Sequence, residues 1–182
     1  MAPTQNAAVL FTEVPSGYPE VGKHLTYVTD RTIDLDTVDV QGGVITKNLV
    51  ISIDPYMRGR MRAAGTKSYS PPFDLNKPLT NYFVGKIVKS DMSELESGKY
   101  VYGFGAYEEY TVHPKAQAKA LRLISDEELK LGLPLTVWVG AAGMPGQTAY
   151  FGLYRIGAPK KGETIFITGA SGAVGQIVGQ LG

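Results

Sequence analysis

Apolar residues recur along the first 120 or so positions in short runs and at every second position, and beyond residue 125 they recur at helical intervals. Residues 7–11, Ala-Ala-Val-Leu-Phe, form a short apolar run, and residues 23–28 alternate as a half-buried strand does. Gly42-Gly43 is a turn feeding a long segment rich in β-branched residues, 44–53. Asp54-Pro55 stops it, because proline has no amide hydrogen to give a sheet and biases its predecessor away from helix. Pro55 then opens a short helical turn carrying Tyr56, Met57, Arg58, Arg60 and Met61. Residues 67–78, with three prolines, read as an exposed loop. Two more strand regions follow, 82–88 and 100–112, the second bent around Gly103 and Gly105. Five or so short strands with glycine corners predict a compact β-barrel.

The spacing changes at Ser125-Asp126-Glu127-Glu128, a capping box that starts a short helix ending near Gly132 and Pro134. A second helical segment, 135–142, leads to Gly143-Met144-Pro145-Gly146. From Pro145, Ala149, Gly152, Leu153 and Ile156 keep helical spacing, with Gly157 placed as a left-handed cap. These changes predict two domains, 1–128 and 129–182. In the second, the apolar run Ile165-Phe166-Ile167 suits a buried parallel strand and is followed by Gly169-Ala170-Ser171-Gly172-Ala173-Val174-Gly175 and a helix, the context of a dinucleotide-binding turn. Gly172 lets the backbone approach a pyrophosphate, Gly175 lets helix and strand pack closely, Ser171 offers a hydroxyl, and the helix start supplies unpaired amides. The alternative is a glycine-rich turn with no ligand. No Gly-Lys-Ser/Thr ending is present, so a nucleoside-triphosphate loop is excluded and a nicotinamide dinucleotide is favoured over a flavin. The strand 165–167 has no parallel neighbour in the chain. The expectation is therefore the first strand and helix of a doubly wound domain cut short, with a non-catalytic fragment as the alternative.

Composition narrows the partners. Eighteen Lys and Arg against seventeen Asp and Glu leave a formal charge of +1, which speaks against nucleic acid. Hydrophobic residues at 43% and charged ones at 19% can bury a core. No cysteine is present, so disulfides, thiolate nucleophiles and sulfur-ligated zinc are excluded. His24 and His113 have no partner at ligand spacing and read as surface or strand-end positions, so no metal site is expected. Arg58, Arg60 and Arg62 read as a solvated or salt-bridged face, with a phosphate patch as the alternative. The N-terminal residues lack the pattern of a secretory signal, and no apolar run reaches the roughly 20 residues of a membrane helix. A cytoplasmic protein with no membrane partner is expected.

Three motifs in order, Asp54-Pro55-Tyr56-Met57-Arg58-Gly59-Arg60-Met61, then Gly143-Met144-Pro145-Gly146-Gln147-Thr148-Ala149-Tyr150, then Pro159-Lys160-Lys161-Gly162-Glu163-Thr164 running into Gly169–Gln176, resemble the zinc-independent medium-chain dehydrogenase/reductases. The branch is that of leukotriene B4 12-hydroxydehydrogenase, prostaglandin reductase and the alkenal double-bond reductases. The resemblance implies a GroES-like catalytic β-barrel followed by the start of a Rossmann domain, so α/β plus β. It also implies NADPH as cofactor and reduction of the carbon–carbon double bond of small α,β-unsaturated aldehydes or ketones. A quinone oxidoreductase of the same superfamily is the enzymatic alternative. Tyr56 matches a tyrosine lining the substrate pocket, whose hydroxyl can bond the carbonyl oxygen; the alternative is a tyrosine plugging the barrel end. Met144 and Thr148 match positions near the nicotinamide, or pack a helix start, while Gly172, Ala173, Val174 and Gly175 match the pyrophosphate contact. A homodimer is common among similar enzymes. One departure is the stretch Asn81-Tyr82-Phe83-Val84-Gly85, where many relatives have a glycine ahead of a Val-Gly-Lys-like strand.

Overall fold

In the computed structural model, which describes residues 3–182, the chain divides into a unit reaching Asp126 and a unit from Glu127 to Gly182. Among the described residues the first unit holds β1 (Thr4–Gln5), β2 (Ala8–Phe11), β3 (Leu25–Val28), β4 (Thr32–Ile33), β5 (Val44–Ile51), α1 (Met57–Arg60), β6 (Lys77–Pro78), β7 (Thr80–Ser90), β8 (Tyr100–Ala106), β9 (Tyr110–His113), α2 (Lys115–Ala118) and β10 (Arg122–Ile124). Five strands form an antiparallel sheet in the order β10-β8-β7-β5-β9, and β3-β2-β6 and β1-β4 form two smaller ones. Backbone bonds from Val9 N–H to Tyr107 O, from Leu79 N–H to Val9 O and from Tyr107 N–H to Leu79 O, at 2.7 to 2.9 Å, stitch the three-stranded sheet to the larger one.

The strand β7 is the axis of this unit, hydrogen-bonded to β5 on one side and β8 on the other. Its inward positions at period two are Asn81, Phe83, Gly85 and Ile87, all buried. Phe83 and Ile87 join Val44, Met92, Leu95 and Val101 in one apolar cluster, while Phe11, Met57, Met61, Phe73 and Leu79 form a second, beneath Tyr56 and Tyr107.

Three expectations about this unit change. The strand region 100–112 is two strands, because Glu109 N–H leaves the ladder for Ala7 O at 3.0 Å. The loop 67–78 is not wholly exposed: Phe73 fills the second cluster, and Pro78 sits in the short β6 at a sheet edge, where a missing amide hydrogen costs nothing. Neither histidine is at the surface. His24 is buried, and His113 at the end of β9 is 1% exposed, its ring stacked on Phe83 at 5.3 Å and its Nε2 3.0 Å from the Thr46 hydroxyl oxygen. Burial lowers the His113 pKa from 6.5 to about 4.

The second unit takes its helices from α3 (Asp126–Lys130), α4 (Thr136–Val139), α5 (Met144–Tyr150), a π-helical segment Phe151–Gly157 and α6 (Ala173–Leu181). α5 packs against α6. The turn into α5 admits only glycine at position 146, where a Cβ would lie 1.7 Å from the Ala141 carbonyl oxygen. The left-handed residue that ends the helical run is Ala158, at φ 45°, and not Gly157. The π-helical turn displaces the cap by one position, closing with a bond from Ala158 N–H to Leu153 O five residues back, at 2.7 Å. The run Ile165-Phe166-Ile167 also differs from expectation: it forms no strand, and Phe166 is 89% exposed. A parallel strand needs a neighbour for its amides and carbonyls, and among the described residues this segment has none.

Candidate functional site

The motif beginning at Asp54 builds a turn before it builds a helix. Proline at its second position pre-sets φ, and Met57 N–H closes the turn on Asp54 O at 3.0 Å, followed by Arg58 N–H to Pro55 O at 3.1 Å. The turn turns Met57 and Met61 into the second apolar cluster and leaves Tyr56 half-buried on top of it. The Tyr56 hydroxyl donates to Asn81 Oδ1 at 2.6 Å. Asn81 Nδ2 in turn donates to Ser52 O at 2.9 Å and to Asp54 Oδ2 at 2.6 Å, and the Ser52 hydroxyl donates to the same carboxylate oxygen at 2.8 Å. The Tyr107 hydroxyl donates to Ser52 O. Asn81, Ser52 and Asp54 are all buried, so this is a polar network inside the barrel with its phenol at the outer end.

Burial pushes the Tyr56 phenol above its ordinary value, with the Arg60 guanidinium working against the shift and Asp54 reinforcing it. Burial also pushes Tyr107 up to about 12. Both hydroxyls are therefore un-ionised at neutral pH and act as hydrogen-bond donors. Such a group can bond an oxygen on which negative charge develops without first losing its own proton.

Of the three arginines Arg58 is exposed as expected, Arg62 is half-buried and Arg60 is buried. Arg60 is 4% exposed, donates to Pro71 O at 3.1 Å and to Thr80 O at 2.5 Å and the Thr80 hydroxyl at 2.8 Å, and lies 4.0 Å from the Phe73 ring centroid. Arg62 donates to Gly59 O at 2.6 Å, to Thr66 O at 3.0 Å and to Ser70 O, and Arg58 to Gly17 O at 2.5 Å. A guanidinium has five donors in a fixed fork, and main-chain carbonyls of loops are acceptors that secondary structure leaves unused. The sequence pattern of alternating arginines reflects loop anchoring, and none of the three reads as a phosphate ligand.

In the second unit Met144 and Thr148 lie one turn apart on α5. The Thr148 hydroxyl donates to Met144 O at 2.8 Å, a back-bond to the preceding turn, and lies 3.4 Å from Met144 Sδ. Ser171, Gly172, Ala173, Val174 and Gly175 gather at the start of α6, with Ser171, Gly172 and Ala173 exposed. Gly172 N–H closes on Gly169 O at 2.9 Å, and a Cβ on Gly175 would lie 2.3 Å from that same oxygen, so the turn folds back on the helix too closely for any side chain. The amides of Ala173, Val174 and Gly175 begin the helix and have no carbonyl one turn earlier within it. No acidic residue occurs between Thr168 and Leu181. Exposed amides, small side chains and the absence of negative charge fit a pyrophosphate.

The structure thus places the expected residues in two groups: Tyr56 in the first unit, and Met144, Thr148 and the residues 171–175 in the second. Sequence reasoning did not find Asp54, Ser52 and Tyr107 as partners in the polar network, nor the role of Asn81. A signal was present at Asn81, a polar residue at an inward register position of an otherwise apolar strand.

Residues 10–121 match the family model described as the N-terminal domain of oxidoreductase. The chain is 43% identical over 177 residues to the NADP-dependent oxidoreductase RED1 of Cochliobolus heterostrophus, covering 97% of this chain and 49% of that protein. It is 39% identical over 176 residues to the 2-alkenal reductase (NADP(+)-dependent) of Nicotiana tabacum, again covering 97% and 49%. Among solved structures, CurA from Vibrio vulnificus in complex with NADPH matches with a TM-score of 0.80 and 29% identity, over 96% of this chain and 48% of that one. The chain spans about half the length of the curated relatives it matches.

Proposed function

Because the chain belongs to the zinc-independent medium-chain dehydrogenase/reductases, we propose that it contributes the substrate-side barrel and the pyrophosphate-binding turn of an NADPH-dependent reductase. The substrate class is that of small α,β-unsaturated aldehydes and ketones, reduced at the carbon–carbon double bond. The observation that carries this reading is the Tyr56 phenol, an un-ionised donor set on an apolar cluster, in a chain 39% identical to a 2-alkenal reductase.

The chemistry NADPH would supply when bound is a hydride to the β carbon of the enal, and a proton taken from solvent at the α carbon of the enolate would complete the reduction. The remaining tasks fall to this chain's residues. The amides of Ala173, Val174 and Gly175, with the Ser171 hydroxyl, hold the pyrophosphate at the start of α6. Met144 and Thr148 would hold the nicotinamide end, the first by its thioether and the second by its hydroxyl. Tyr56 gives its hydrogen bond to the substrate's carbonyl oxygen, which gains negative charge as the double bond is reduced; the bond strengthens as the charge grows. Its half-buried ring, fixed on the apolar cluster beneath it, gives an apolar chain a face to pack on.

The test is Tyr56→Phe in the enzyme containing this chain. Turnover of a simple 2-alkenal is expected to fall about a hundredfold, the scale of a lost oxyanion donor, with NADPH affinity unchanged. Equal losses in both would remove Tyr56 from the substrate site. Faster NADPH consumption with a quinone than with a 2-alkenal would overturn the substrate class.

A further inference from the structure

We propose that Asn81 is a positioning residue for Tyr56, an amide fixed by Asp54 and Ser52 that holds the phenol by its own proton and thereby sets where the hydroxyl meets a carbonyl substrate. The proposal rests on the reading of Tyr56 as the donor to that carbonyl.

The direction of the amide follows from its neighbours. Its two ends differ: one is a double donor, the other an acceptor. Asp54 Oδ2 at 2.6 Å and Ser52 O at 2.9 Å can only accept, so both face the nitrogen. The amide oxygen is left to Tyr56, 2.6 Å away. A reversed amide would set its oxygen against a carboxylate and a carbonyl at once. The carboxylate is itself held by the Ser52 hydroxyl at 2.8 Å, and the Ser52 carbonyl by the Tyr107 hydroxyl. Asn81 is 0% exposed on β7, a strand paired on both edges, so the acceptor is mounted on one of the most constrained backbones in the barrel.

A phenol has one proton and can give it to one good acceptor. In the resting arrangement that acceptor is Asn81. A substrate carbonyl competes for the same proton by rotation of the hydroxyl about its bond to the ring, with no bond broken, and leaves the buried Asn81 oxygen without its partner. A neutral carbonyl is an acceptor comparable to an amide oxygen and gains little from the exchange. An oxygen carrying enolate charge is a much stronger one and takes the proton decisively. Asn81 therefore fixes the oxygen of Tyr56 before the substrate arrives, and only an acceptor stronger than an amide oxygen draws the proton away from it.

Two measurements test this. In tyrosine-labelled wild-type chain, the Tyr56 hydroxyl proton, assigned by its loss in Y56F, is expected in proton NMR with a cross-peak to the Asn81 side chain, and is expected to vanish in N81A. In the NADPH-loaded enzyme, N81A is expected to lower kcat for a 2-alkenal about tenfold or more, the scale of a misdirected catalytic group, with KM unchanged or lower. N81D keeps an oxygen toward Tyr56 but faces Asp54 with a second carboxyl group. It should recover kcat at low pH, while the pair shares a proton, and lose it as the pair ionises, adding a limb to the pH profile that wild type lacks. A Tyr56 proton unchanged in N81A, a wild-type kcat in N81A, or an N81D profile with no new limb each overturns the proposal. Should N81A not fold, the N81D profile decides alone. Wild-type turnover in Y56F would remove the reading of Tyr56 itself, whereas a slow Y56F beside a fast N81A removes Asn81 only.

Discussion

Residues 82–87 and residues 164–169 carry nearly the same pattern, a short apolar run with an aromatic at its centre and a glycine behind it, and only the first is a strand. Phe83 is 0% exposed and Phe166 is 89% exposed. The difference lies in the neighbours. β7 has β5 and β8 to take its amides and carbonyls, and the apolar side chains between them close over Phe83. The segment 164–169 has no ladder partner among the described residues; Ile167 is half-buried beside α6, and Phe166 is left exposed. Apolar patterning specifies what a strand would bury, and pairing decides whether it exists.

The contrast can be broken most severely at the two phenylalanines. Phe83→Ala should cost about 3–5 kcal/mol by urea denaturation, the range for a fully buried aromatic. Phe166→Ala should stay within about 0.5 kcal/mol, as an exposed position does. Equal costs would mean that the two segments share one environment. The next effect is on pH. His113 stacks on Phe83 and is neutral when folded, whereas the unfolded chain binds a proton below pH 6.5. The unfolded state therefore holds more protons between pH 6.5 and 4, and stability should fall by up to about 3 kcal/mol as pH drops through that window. His113→Gln should flatten this dependence in denaturation curves recorded across it. Smaller effects separate two glycines of the second unit. Gly146→Ala, with a Cβ pressed on the Ala141 carbonyl, should cost about 1–3 kcal/mol. Gly179→Ala within α6, where the nearest atom to a Cβ is Ile167 Cδ1 at 3.7 Å, should stabilise the helix by about 0.5–1 kcal/mol, read as increased helical circular dichroism on warming.

Much of this was legible in the sequence because it depends on local chemistry. Alternation marked β3, the β-branched run marked β5, and the glycine turn marked the start of α6. Pro55 announced the turn that raises Tyr56. What escaped depends on contacts distant in sequence. Asn81 and Tyr56 are 25 positions apart and meet only because β7 runs beside the end of β5. Arg60 looked solvated since its partners are main-chain carbonyls of residues 71 and 80, which no residue pattern reveals. The cap at Ala158 moved by one residue because a π-turn lengthens the hydrogen-bonded loop, a choice that spacing at 3.6 residues cannot encode.

The arginine anchors have a consequence for how this protein can diverge. Arg60 and Arg62 hold the stretch from residue 59 to residue 80 almost entirely by carbonyl oxygens, which every amino acid possesses. The path of that stretch is consequently insured against changes in its side chains. Apart from Gly65, whose φ of 90° favours glycine, residues 63–69 are free to drift in size and polarity over evolutionary time while the chain keeps its course, so variation there can be sampled by selection at little structural cost.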